Sequence, residues 1–264
     1  MTSYTYILTE KKGHVFSIIL NRPSERNAMN TQMIFELSDA LTKYEDDPDA
    51  RCAVIYANGL HFTFGLELQE VAGALLEERR SLFTPNTINP WDTGETKRVR
   101  KKPVICAVHG FCLTLGIELM LACDIGLAAD KTVFAQLEVQ RGIPPFGGAT
   151  IRFVRTAGWG NAMKYILTGD TFDAKEAYRL GIAQEVLPKK DLLPRAFELA
   201  EKISAQAPLA VQASIANARK ALEEGQVPAI SELFSITIEN LKSPDGQEGV
   251  RSFLEKRAGV FKGK

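Results

Sequence analysis

Two short apolar runs rich in β-branched residues recur in this chain in one setting. "CAVIYAN", Cys52 to Asn58, and "PVICAV", Pro103 to Val108, are each followed by a glycine-containing turn and then a helical pattern. Runs of this length bounded by turn signals read as buried strands. Strand, glycine turn and helix repeated in that order restrict the chain to α/β packing, rather than separate all-β and all-α units.

The flanking segments agree. "YTYILTEKKGHVFSIIL" reads as two strands about a turn at Lys12 and Gly13. "NTQMIFELSDALTKYEDD" starts a helix capped by Asn30 or Thr31, with Met33, Leu37, Ala40, Leu41 and Tyr44 on one face. "IGLAA" and "TVFAQ" read as strands, followed by the Gly/Pro loop "RGIPPFGGAT". From about Ala149 the pattern turns helical, with "DAKEAYRLG" capped by Asp173 and ended by Gly181, and long amphipathic stretches from Lys189 onward. Their apolar faces need a lid position or a neighbouring subunit to cover them. Glu78 to Pro103, rich in Pro, Asn and Thr and containing Trp91, reads as an irregular segment, either functional or a solvated loop.

Composition removes several function classes. Lys and Arg total 32 against 32 Asp and Glu, so no overall field draws the protein to nucleic acid or an anionic membrane, and an anionic ligand must be held by local groups. No apolar run approaches a membrane span, and the N-terminus lacks the layout of a signal peptide, which predicts a cytoplasmic location. The four cysteines show no CxxC spacing and read as reduced core residues. Three scattered histidines give no zinc pattern, and no metal is expected.

The chemistry starts at Glu118, set in "AVHGFCLTLGIELMLACD" with no cationic residue within four positions. A buried, unpaired carboxylate responds to desolvation with a raised pKa, which suits a general acid or base. The other reading is a helix end where Glu118 meets solvent or a distant Arg. Glu138, in "FAQLEVQRGIPP", is a second acid in apolar surroundings at a strand exit. Two such acids can divide acid and base roles. The turns "TFGLEL" and "TLGIEL" lead toward helices, and each could aim a backbone N–H at one carbonyl oxygen and stabilise an enolate.

Six ordered blocks now carry a resemblance: "NRPSERNAMN", "HFTFGLEL", "KKPVICAVHGFCLTLGIELMLACDIGLAAD", "FAQLEVQRGIPPFGGAT", "LTGDTFDAKEAYRLGIAQEVLP" and "SPDGQEGVRSFLEKR". Along almost its whole length the chain resembles the crotonase, or enoyl-CoA hydratase/isomerase, superfamily. The resemblance implies a crotonase-like α/β spiral of repeated ββα units over residues 1–195. It implies a helical C-terminal region over residues 196–264, for trimerisation or as a lid, and a homotrimer or dimer of trimers. It places the two N–H donors at Leu66 and Leu115 and the two acids at Glu118 and Glu138.

For the coenzyme A portion of the substrate, the resemblance points to Arg26 and Ala28, with Leu68 at the end of the second block. Phe261 and Lys262 of the tail would reach across a subunit boundary. The implied activity is enoyl-CoA hydration: an acyl-CoA thioester is the partner, and neither metal nor separate organic cofactor is needed. An enoyl-CoA isomerase, a CoA-thioester or C–C hydrolase and a non-catalytic acyl-CoA-binding protein are the alternatives. Where the family carries a glycine run before the catalytic acid, this chain has Thr114, Leu115 and Gly116, and "TFGLEL" has Phe64 and Glu67 at positions where a small residue and Asp are commoner. The added bulk narrows the acyl pocket, with Phe64, Leu66, Leu115, Phe146 and Trp91 expected to line or lid it. Glu67 reads as an acid near a helix start.

Overall fold

A computed structural model describes residues 4–78, 83–94 and 96–264. Parts of the irregular Glu78–Pro103 segment, residues 79–82 and 95, therefore lie outside the described residues, as do the first three of the N-terminus.

Alternating apolar positions build the opening hairpin, β1 (Ile7–Lys12) and β2 (Val15–Leu20), around the left-handed Gly13. Asn30 then caps α1 (Thr31–Asp46), its side chain accepting from the Met33 N–H at 2.9 Å. The face expected from the sequence, Met33 through Tyr44, is buried. β3 (Cys52–Ala57) and β4 (Val104–Val108) are the two predicted strands, with α2 (Leu68–Glu78) between them. After β4 come β5 (Phe111–Leu113), α3 (Leu115–Ala122), β6 (Ile125–Ala129) and β7 (Val133–Ala135). A 3₁₀ turn, Glu138–Arg141, leads through the Gly/Pro loop to α4 (Ala149–Ala157) and α5 (Trp159–Thr168). β8 (Phe172–Asp173), α6 (Ala174–Arg179) and β9 (Glu185–Leu187) complete the core.

β1-β2-β3-β4-β6-β9 form one sheet, parallel from β2 onward, and β5-β7-β8 form a second. Each repeat thus carries one strand in the large sheet, one in the small sheet, and a helix: β4-β5-α3 and β6-β7-α4 are complete units. In the β3–α2 unit the small-sheet strand is reduced to a single parallel bridge, Thr63 to Cys112. This is the repeated ββα arrangement expected. Three short strands were not anticipated: β5 is only three residues, its apolar sequence merging with the glycine turn on one side and α3 on the other, and β8 and β9 lie in the stretch read as helical.

Side-chain alternation splits the core. Ala53 and Ile55 of β3 face the cluster around α1 and α3, whereas Cys52 and Val54 face α7 (Lys189–Ser204) through Leu192, Ala196 and Ala200. All four cysteines are free, three of them buried. The helical C-terminal region runs on through α8 (Pro208–Glu223), α9 (Gln226–Lys242) and α10 (Pro244–Leu254). The Arg155 guanidinium donates to the Leu222 carbonyl at 2.9 Å, tying the end of α8 to α4. The outer faces of α9 and α10 are open: Phe234 is 79% and Phe253 81% exposed.

Candidate active site

β5 ends at Leu113 and α3 starts at Leu115, so Thr114 alone turns the chain. It does so at φ 50°, ψ −116°, a conformation that strains a β-branched residue. Its N–H donates to Ala135 O at 2.9 Å, and its carbonyl accepts from Ile117 and Glu118 N–H at 2.9 and 3.2 Å. The N–H of Leu115 is one of the orphan donors at the start of α3 and has no acceptor among the described residues. The Leu115 carbonyl is held by the indole N–H of Trp91 at 2.9 Å.

Leu66 reaches the same place by a different route. It bridges Met29: the Met29 N–H donates to Gly65 O at 2.7 Å, and the Glu67 N–H donates to Met29 O at 2.9 Å. The pleat then sends Leu66's own N–H to the opposite side, where no described residue accepts from it. The two turns touch. Gly65 has φ 87°, and a Cβ there would lie 1.8 Å from Thr114 Oγ1.

Leu66 and Leu115 line one cavity of about 320 Å³, together with Phe64, Leu68, Glu138 and Phe146. Glu138 opens the 3₁₀ turn and points into this space. Glu118 is buried at 1% exposure against the cavity's wall rather than lining it. Its Oε1 accepts from the Ala149 N–H, at the start of α4, at 2.9 Å; its buried Oε2 has no hydrogen-bond partner among the described residues. Gly147 marks how closely the wall fits, since a Cβ there would stand 2.7 Å from Glu118 Oε2 and 2.8 Å from Leu115 Cδ2.

Burial pushes the Glu118 carboxyl up to about 7; the Ala149 N–H opposes this, and the nearby Glu138 charge adds to it. Burial likewise pushes Glu138 up to about 7. With both carboxyls raised to about 7, each can gain or lose a proton near neutral pH, so one can serve as base and the other as acid.

The remaining predicted residues divide between the cavity and more distant ground. Leu68 lines the cavity. Arg26 is exposed at its edge in a left-handed conformation, φ 55°, with its guanidinium 5.0 Å above the Phe64 ring. Ala28 is half-buried; its N–H donates to Glu25 O at 2.9 Å and its carbonyl accepts from Arg22 at 2.9 Å. Phe261 and Lys262 do not line the cavity of their own chain. The Phe261 carbonyl accepts from Arg51 at 2.8 Å, and the Lys262 N–H donates to Asp245 at 2.7 Å.

Trp91 differs from expectation: at 3% exposure it stands behind Leu115 rather than in the cavity, and Arg152 donates to its carbonyl at 2.7 Å. Glu67 is paired with Arg22. The sequence reading missed Arg141, a lining residue, and the Gly147–Ala149 corner that receives Glu118. "PPFGGAT" read only as a loop, although paired glycines before a helix start are the signal that a backbone approaches something closely.

A profile of the family described as enoyl-CoA hydratase/isomerase matches residues 10–264. The chain belongs to that family. As a family member it is 34% identical over 259 residues to a probable enoyl-CoA hydratase of Mycobacterium bovis, covering 98% of each chain. It is similar in structure to a probable enoyl-CoA hydratase/isomerase from Mycobacterium abscessus, at TM-score 0.96 and 48% identity over 99% of this chain and 100% of that one. An enoyl-CoA hydratase from Mycobacterium tuberculosis superposes with TM-score 0.86 at 30% identity, over 98% and 99% of the two chains. Membership carries hydratase/isomerase chemistry at the family level.

Proposed function

We propose that the protein is an enoyl-CoA hydratase, adding water across the C2–C3 double bond of an enoyl-CoA thioester. The observation that carries this reading is that Leu66 and Leu115, whose peptide N–H groups have no acceptor among the described residues, line one cavity with Glu138, and Glu118 stands at its wall. The amides receive the thioester oxygen and stabilise the enolate as charge develops there; one such donor typically contributes about 2.7–4 kcal/mol to lowering the barrier. The ionised acid takes a proton from water as its oxygen bonds to C3. The neutral acid supplies the proton that arrives at C2. Leu68 and the Arg26–Phe64 stack offer the pantetheine and phosphate portions a path, with the free lone pair of the Ala28 carbonyl facing an adenine amino group.

Phe261 and Lys262 enter this proposal through a neighbouring subunit. The exposed apolar residues of α9 and α10 and an apolar groove of about 540 Å³ between α8 and α9 support a homotrimer or a pair of trimers. Residues 1–195 would then form the core and 196–264 the assembling region, with α7 spanning the join. Four free cysteines fit the reducing cytoplasm. Among the described residues no helix is long and apolar enough to cross a membrane.

An enoyl-CoA isomerase is a second reading, favoured by one observation: Glu138 lines the cavity, whereas Glu118 stands at its wall with Oε1 already engaged by the Ala149 N–H. Isomerisation needs one acid/base and no activated water. Mass spectrometry of products from a panel of 2-enoyl- and 3-enoyl-CoA thioesters separates the cases. Hydration adds one water to the thioester, isomerisation leaves the mass unchanged, and hydrolysis releases free CoA. Binding without any product would overturn both enzymatic readings.

A further inference from the structure

The cavity has a charged group that hydration does not use. Arg141 closes the same 3₁₀ turn that Glu138 opens. Side chains three residues apart eclipse in a 3₁₀ helix, about 6 Å apart along the axis, so the acid and the guanidinium are carried on one face. That face is the cavity face, since both residues line it. The turn cannot roll away from this orientation easily. Gln140, between them, donates to the Thr168 and Gly169 carbonyls at 3.1 and 3.3 Å, and the left-handed Gly142, φ 77°, ends the turn while Ile143 N–H returns to Glu138 O at 3.2 Å.

Arg141 has no ion pair or hydrogen bond among the described residues. Other arginines near the site are engaged: Arg22 with Glu67, Arg152 with Asp92, Arg100 with Asp124. Arg26 lies over Phe64, in the segment assigned to the nucleotide portion. Apart from Glu138, Thr114 and Arg141 itself, the lining is apolar. An arginine stem fits along such a wall with its head at the rim. A guanidinium there offers planar, two-pronged recognition to a carboxylate.

Resting on the enoyl-CoA reading above, we infer that Arg141 selects acyl groups ending in a carboxylate, making short dicarboxylic enoyl-CoA thioesters the substrate class. The anion is placed at the acyl end because Arg141 shares its turn with the reacting acid, not with the Arg26 segment. A nucleotide phosphate could satisfy the same cation, and the test separates the two sources.

Saturated thioesters cannot be hydrated, so their binding reads the cavity whether or not the chain is a hydratase. Calorimetric titration compares adipyl-CoA, its terminal methyl ester and free CoA on the wild type, Arg141→Leu and Arg141→Lys. The expected result is about tenfold tighter binding of adipyl-CoA than of the ester by the wild type, equality in Arg141→Leu and partial recovery in Arg141→Lys. No preference in the wild type overturns the inference. So does an Arg141→Leu loss that is equal for all three ligands, which assigns the cation to the phosphates. If the preference holds while the unsaturated thioesters yield no hydrated product, the hydratase reading falls and the carboxylate site stands. Arg141 is exposed, so the variants are expected to fold, and their melting temperatures verify it.

Discussion

The indole N–H of Trp91 donates to the carbonyl oxygen of Leu115 at 2.9 Å, bracing a residue that lines the cavity and whose own N–H has no acceptor among the described residues. The brace matters because Thr114, immediately before it, is held at φ 50° without glycine's freedom. Strain of this sort persists only where neighbours over-determine the conformation. Trp91→Phe keeps much of the packing and removes the donor. It should lower kcat about tenfold with little change in KM, and cost less when Thr114→Gly has relaxed the turn. Steady-state kinetics on the two single variants and the double variant test this; strict additivity would contradict it.

Gly147 is predicted to be nearly irreplaceable. An added methyl meets Glu118 Oε2 and Leu115 Cδ2 inside 3 Å, and the carboxyl is buried and tied to the Ala149 N–H at the start of α4. Gly147→Ala should destabilise the fold by about 1–3 kcal/mol and depress turnover as the acid is displaced. Denaturant unfolding and product assays check the two effects separately. The exposed Gly160, with nothing within 4 Å of its Cβ position, is the control expected to tolerate alanine.

Stability should carry the signature of two acids raised from 4.5 to about 7. A carboxyl whose folded pKa exceeds its unfolded value binds its proton more tightly in the native state. Its stabilising effect is present at low pH and is lost as pH rises through the folded value, so ionisation above about 7 costs stability. Glu118→Gln, which keeps an oxygen for the Ala149 N–H, should therefore raise the melting temperature relative to wild type at pH 8 and change it little at pH 5. Glu138→Gln should behave alike. Thermal melts across this range suffice, and a variant equally stabilised at both pH values would contradict the assignment.

The apolar residues left open on α9 and α10 predict assembly. Sedimentation should give a mass that is a multiple of three chains, and the paired change Phe234→Lys and Phe253→Lys should reduce it. A wild-type monomer at micromolar concentration would contradict the prediction.

Much of this molecule could be read from its residues, for physical reasons that also mark where reading stopped. The caps Asn30 and Asp173 and the β3 and β4 strands follow from local chemistry and periodicity, and they stand where expected. Glu118 was conspicuous because an acid in an apolar run lacks a local partner. Its actual partner, the Ala149 N–H, is 31 residues away, a pairing made by packing rather than by any pattern. Trp91 was misplaced for the same reason: an indole's burial was foreseeable, but the carbonyl it caps belongs to a helix 24 residues on. Arg141 escaped notice because an arginine beside a glycine reads as surface, and only the 3₁₀ turn brings it round beside Glu138.

The central claim is that both acids and both amides act on one thioester. Reaction of 2-enoyl-CoA thioesters with and without a terminal carboxylate in ¹⁸O-labelled water, followed by mass spectrometry, tests it in the wild type, Glu118→Gln and Glu138→Gln. The account predicts one labelled oxygen at C3 in the wild type, and a fall in kcat of roughly 10²- to 10⁴-fold in each variant. Unlabelled product, or full activity in Glu118→Gln, would contradict it.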